Sequence, residues 1–122
     1  MRILDLTRLL PGGFCSLLLA DLGADVIKVE DTGMGDYVRW APPYYGTDEQ
    51  HALGTRSALY LALNRGKRSI VLDLDQEKDR ERFRTLIAGA DVLLETTPKG
   101  YLDGLGLGIE TLRKQVPTLI VA

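Results

Sequence analysis

Between Ile3 and Glu30 the chain alternates short apolar runs with glycine-bearing breaks, and nothing in that stretch could close a hairpin. Ile3-Leu4-Asp5-Leu6 is a short strand, and the turn Pro11-Gly12-Gly13 launches a helix over 14–22. Gly23 takes the left-handed C-terminal cap, after which Asp25-Val26-Ile27-Lys28-Val29-Glu30 is a second strand. Two strands joined through a helix must run parallel, with a right-handed crossover. From Phe14 to Leu22 only Ser16 and Asp21 are polar, which predicts burial on more than one side of the helix.

The alternation continues. Asn64-Arg65-Gly66-Lys67 is a basic turn feeding the β-branched run Ser69-Ile70-Val71-Leu72, which reads as a buried, central third strand. Asp75 is the expected N-cap of a helix over 76–88, where Phe83, Leu86 and Ile87 fall at i, i+3 and i+4. Asp91 to Glu95 is strand four, 101–105 a single helical turn, and Ile109 to Gln115 a helix cut off by Pro117. Thr118 to Ala122 is a fifth, buried strand, in which the chain stops. Four crossovers without a hairpin predict an α/β fold, an open, doubly wound parallel sheet with helices on both faces. Residues 1–122 are expected to be the opening segment of a longer domain. Two segments are less regular. The aromatic loop from Asp31 to Glu49 suits packing or lid duty, and a helix is expected from His51 to Leu63.

With 122 residues the chain is one domain, and it needs neither metal nor disulfide to fold. Its 15 basic and 17 acidic side chains leave a net charge of −2, which offers no basic field for nucleic acid. The longest apolar run, Leu17 to Ala20, is too short to cross a membrane. Cys15 has no second cysteine to pair with, which suits a reducing cytoplasm, and it reads as a small core residue. One Cys and one His cannot assemble a metal site, and His51 reads as a surface or capping residue.

In such sheets ligands sit beyond the carboxyl ends of the strands, near the point where strand order reverses. The exit loops there are 7–13, 31–49, Leu74-Asp75 and 96–100. A nucleotide-like ligand is the expectation, with Glu30 where a dinucleotide fold places its ribose-binding acid, although Pro11-Gly12-Gly13 lacks the G-x-G-x-x-G spacing. Lys67 and Arg68 fit either a solvated turn or a phosphate contact.

Three stretches, Ile3 to Gly12, Leu19 to Glu30 and Asn64 to Leu74, together resemble the amino-terminal segment of the class III CoA-transferase family, which includes the α-methylacyl-CoA racemases. Ala90 to Glu95 and Gly100 to Gly106 continue the pattern, so the resemblance covers nearly the whole chain. It implies a Rossmann-like large domain from a longer chain and two protomers threaded into an interlocked homodimer, or a heterodimer with a catalytic homologue. It also implies a coenzyme A thioester as substrate rather than as a resident cofactor, with a carboxylic acid as acceptor. The family's catalytic aspartate, or the racemases' His and Asp, belong to sequence beyond Ala122, so no catalytic residue is assigned here. The CoA-binding positions carry over to Leu10 and Pro11, to Leu72, Asp73, Leu74 and Asp75, and to Thr96, Thr97 and Pro98, with Lys67 a cation near the phosphates. Three positions where the transferases place a basic residue are Asp31, Asp75 and Gly104 here, and Thr96-Thr97-Pro98-Lys99 departs from the family's loop. Arg65, Lys67 and Lys99 are the candidates to compensate. A non-catalytic homologous half with a degraded CoA pocket is the alternative implied by those departures.

Overall fold

A computed structural model describes residues 1–45 and 57–122. Five strands, β1 (Arg2–Leu6), β2 (Asp25–Glu30), β3 (Arg68–Val71), β4 (Val92–Glu95) and β5 (Ile120–Val121), make one parallel sheet in the order β3-β2-β1-β4-β5. The chain winds outward from β1 to β3 and then crosses back to β4, so strand order reverses between β1 and β4.

Alternation along the strands separates two layers, since successive side chains leave a strand on opposite faces. Leu4 and Leu6 of β1, Ile27 and Val29 of β2 and Leu93 of β4 face α3 (Glu77–Ala88), α4 (Tyr101–Gly104) and α5 (Ile109–Gln115), where Phe83, Ile87, Leu102 and Leu112 complete a core. Phe83 and Ile87 have no exposed surface, and burying each such side chain stabilises the fold by roughly 1.5–3 kcal/mol. On the other face Ile3, Val26, Val92 and Leu94 pack against Leu19 and Ala20 of α1 (Leu9–Asp21). That face also holds Asp5, Lys28 and Glu30, all buried. Leu17, Tyr60 and Leu63 join α1 to α2 (Ala58–Asn64), with Val38 of the 3-10 turn Tyr37–Trp40 packed among them.

Several elements differ from the sequence reading. Helix α1 starts at Leu9, so Pro11, Gly12 and Gly13 belong to its first turns. Proline is tolerated there because the first amides of a helix have no intrahelical acceptor. Burial is confined to one side of α1, through Gly12, Gly13, Ser16 and Leu17, whereas Cys15 is exposed and Phe14 and Leu22 are 53% and 85% exposed. Strand β3 is an edge strand, not a central one, with only β2 beside it among the described residues and Val71 exposed; the buried apolar residues here are Leu72 and, beyond the run, Leu74, both past the strand's end. Strand β5 is the opposite edge, and Ile120 is exposed rather than buried. Asp75 is not the cap of α3, whose N-cap is Gln76 with no side-chain cap. Ser57 starts α2, its Oγ accepting from the Tyr60 amide at 3.1 Å; His51 and the expected helix before Ser57 lie outside the described residues. Strand β2 and helix α5 have the expected bounds, and Gly23 takes its positive φ of 94°.

The close approach of α1 to β1 depends on Gly12, where an added Cβ would lie 2.1 Å from Thr7 Cβ. Gly12→Ala is therefore expected to destabilise the fold by about 2–3 kcal/mol or more, read as a lower urea midpoint, because no rotamer of Thr7 moves its Cβ away and a backbone must shift instead.

Candidate functional site

A crevice opens at the carboxyl ends of β1, β2, β3 and β4. It has two connecting lobes of about 340 and 600 Å³, which share Leu6, Arg8, Asp31, Tyr37, Thr97 and Tyr101. The larger lobe lies where strand order reverses and adds Leu9, Pro11, Thr96 and Pro98; the smaller adds Glu30 and the segment Leu72 to Asp75. Pro11, Leu72, Asp73, Leu74, Asp75, Thr96, Thr97 and Pro98 are thus brought together around one space. Leu10 stands outside the lining, exposed on α1, as does Gly104 on α4.

Lys67 is placed elsewhere. It precedes β3, at the end of that strand away from the crevice, and its side chain is 1% exposed. Its Nζ donates to Ser16 Oγ at 2.7 Å, Gly13 O at 2.9 Å and Asn64 Oδ1 at 3.0 Å, and lies 3.4 Å from Asp5 Oδ2. Burial pushes this ammonium below its usual range, opposed by the charge of Asp5 and reinforced by that of Lys28. All of these contacts point inward, so Lys67 ties the turn before β3 to α1 rather than reaching into the crevice. Arg65 pairs with Asp21 at 2.5 Å and Arg68 with Asp25 at 2.6 Å, which leaves Lys99, exposed on the loop after β4, as the compensating cation nearest the crevice.

Glu30 is held rather than offered to a ribose. Arg39 donates to both its oxygens, Nε to Oε2 at 2.6 Å and Nη2 to Oε1 at 2.7 Å. Tyr60 and Ser69 donate to Oε1 at 3.0 and 2.6 Å, and the Asp36 amide to Oε2 at 3.0 Å. Burial alone would push its pKa up, yet the hydrogen bonds from Arg39, Ser69 and the Asp36 amide, with the charge of Arg39, hold it at about 2. The Arg39 guanidinium also lies 3.8 Å from the centre of the Tyr60 ring.

Among the described residues, Arg8 is the cation that lines the crevice. Its Nη1 pairs with Asp31 and donates to Gly35 O at 2.7 Å, and its guanidinium lies 5.4 Å from the centre of the Tyr37 ring. The opposite wall is acidic. Tyr101 feels that directly: burial first, then the charges of Asp75, Asp73 and Asp31, raise its hydroxyl pKa despite Arg8. Leu9 has φ +65°, a left-handed conformation that costs a leucine roughly 1–2 kcal/mol. Arg8, Tyr37 and Tyr101 were not singled out from the sequence. Arg8 lies two residues past the end of β1 and so carries a positional signal; the two tyrosines have none, because the turn that presents Tyr37 and the fold-back of α4 are tertiary.

The family model described as CoA-transferase family III matches residues 1–122. A succinyl-CoA:mesaconate CoA-transferase of Haloarcula hispanica is 45% identical over 120 residues, covering 98% of this chain and 29% of the relative. The human succinyl-CoA:glutarate CoA-transferase is 41% identical over 121 residues, 98% of this chain and 26% of that protein. Among solved structures, a CAIB/BAIF family protein from Brucella suis superposes with a TM-score of 0.85 at 44% identity, over 99% of this chain and 31% of that one. The chain therefore spans less than a third of the length of these relatives.

Glu30 supplies a pH dependence with a definite sign. Its folded pKa of about 2 lies below its usual 4.5, so its contribution is complete above pH 4.5 and is lost as pH falls towards 2. Urea midpoints between about pH 5 and pH 2.5 should reveal a loss on the order of 2 kcal/mol from this group, and Glu30→Gln should flatten that part of the profile.

Proposed function

Because the chain belongs to CoA-transferase family III, we propose that the crevice beyond the carboxyl ends of its strands takes part of a coenzyme A thioester, and that the whole protein moves CoA between carboxylic acids. The observation that carries this reading is the convergence of Pro11, Leu72 to Asp75 and Thr96 to Pro98 on one space at the reversal of strand order. Pantetheine and acyl groups suit the larger lobe, whose walls Leu6, Leu9, Pro11, Pro98 and the two tyrosine rings are largely apolar. The acceptor is a carboxylic acid of the dicarboxylate kind, in keeping with the mesaconate and glutarate in the relatives' names. Residues 1–122 are the amino-terminal part of the large domain, the catalytic aspartate lies outside them, and the protein works in the cytoplasm as an interlocked dimer. Racemisation of a 2-methylacyl-CoA is the variant reaction on the same site.

A second reading has its own support. Among the described residues, Asp31, Asp73 and Asp75 line the crevice against one arginine, which is already paired with Asp31. A carboxylate where a cation is expected turns attraction for a phosphate into repulsion, on the order of 1–4 kcal/mol near a surface. On that reading the segment is a non-catalytic homologous half whose CoA pocket is degraded and whose role is dimer architecture.

Calorimetric titration of the purified protein with CoA decides between them. Binding below millimolar CoA is the expected result, and its absence at that concentration sinks the enzyme reading. Asp75→Lys should tighten CoA binding by about fivefold to tenfold, an effect that fades in high salt.

A further inference from the structure

The strained residue of the crevice wall is held by a carboxylate that takes no part in lining it. Asp36 is 2% exposed and sits between three partners. Its Oδ1 accepts from the Leu9 amide at 3.1 Å and from the Val38 amide at 3.0 Å. Its Oδ2 lies 2.7 Å from Lys28 Nζ, an ion-pair contact that is not aligned as a hydrogen bond. Lys28 in turn donates to Thr7 O at 2.9 Å, two residues before Leu9. Leu9 itself is the first residue of α1, left-handed at φ +65° and half exposed to the larger lobe. A leucine is held in that conformation only where its surroundings determine it. The amide of the residue before it is tied as well, Arg8 N donating to Thr96 Oγ1 across the crevice at 3.0 Å.

We infer that Asp36 is a positioning residue for the crevice: by accepting the Leu9 amide it fixes Leu9 in the left-handed conformation, and so sets the Arg8-Leu9-Pro11 wall in the shape that receives the ligand. The ion pair with Lys28 orients Asp36; the acceptor oxygen does the positioning. This rests on the crevice being the CoA site proposed above, but it assigns a role to a residue that touches no ligand. The alternative is that Asp36 only balances the buried charge of Lys28, in which case its removal affects stability and leaves the crevice unchanged.

Two variants separate these roles. Asp36→Asn, made in a Lys28→Met background so that no buried lysine is left unpaired, keeps an acceptor oxygen for Leu9 and gives up the charge. Asp36→Ala in the same Lys28→Met background removes the acceptor as well. CoA affinity by calorimetry, thermal unfolding, and amide exchange at Leu9 by NMR are measured on each. The expected result is that the Asp36→Asn variant melts lower yet keeps CoA affinity within about threefold and keeps the Leu9 amide protected, whereas the Asp36→Ala variant binds CoA at least tenfold more weakly and exposes that amide to exchange. Equal affinities across wild type and both variants, or a Leu9 amide that stays protected without Asp36, overturn the inference. If the wild type binds no CoA, the reading of the crevice falls. The Leu9 amide then decides alone, with protection lost in the Asp36→Ala variant sustaining the role of Asp36 and unchanged exchange refuting it.

Discussion

Lys28 lies in the middle of a parallel strand, on the face covered by α1, with a side chain 1% exposed to solvent. Removing an ammonium from water costs several kcal/mol even after the protein relaxes, and the cost is recovered only if every partner is in place. Here the partners come from two separate parts of the chain: Asp5 of β1 at 3.7 Å with the Thr7 carbonyl just past that strand, and Asp36 of the loop after β2 at 2.7 Å. Asp5 is shared with Thr7, Ser16 and Lys67, so among the described residues Lys28 and Lys67 face Asp5 and Asp36 within one layer between sheet and helix, with Glu30 beside them paired to Arg39. The charges nearly cancel within it.

This layer carries the local organisation from the sheet to the crevice. Asp5 orders the end of β1 by accepting the Thr7 amide at 3.0 Å and the Thr7 hydroxyl at 2.5 Å. The Thr7 side chain leaves room only for a glycine at position 12, which brings α1 down onto the sheet. Asp36 and Glu30 then pull the loop after β2 across the start of α1, and Arg8 closes the arrangement from the other side through Gly35 O and Asp31. The mouth of the crevice is therefore built by polar contacts whose charges lie just beneath it, and the apolar core under α3 serves mainly as its foundation.

Much of the architecture was legible in the order of apolar runs and glycines. Strand β2 and helix α5 have the bounds that their sequence suggests, because Gly23, Gly108 and Pro117 punctuate them locally. What failed depended on the third dimension. The run from Ser69 to Leu74 reads as a buried strand because Leu72 and Leu74 are indeed buried, but they lie past the hydrogen-bonded part, and only strand order makes β3 an edge. Lys67 looks like an accessible cation in a turn, and nothing in its neighbours reveals that Ser16, Gly13 and Asp5 wait for it fifty residues away. A crevice does lie among the exit loops that the sequence marks, whereas Asp36 had no visible role until its loop was seen folded over α1.

The alternation in β1 has one more consequence. Leu4 and Leu6 point into the apolar layer and Asp5 into the charged one, so the two faces of this strand are chemically incompatible. Sliding β1 by a single residue against β2 and β4 would turn Asp5 towards Phe83 and Ile87 and set leucines against Lys28. An all-apolar strand would meet either neighbour almost as well after such a slip. A buried aspartate at the centre of the sheet thus acts as a ruler: whatever it adds to or subtracts from stability, it leaves the central strand one alignment in which to pair.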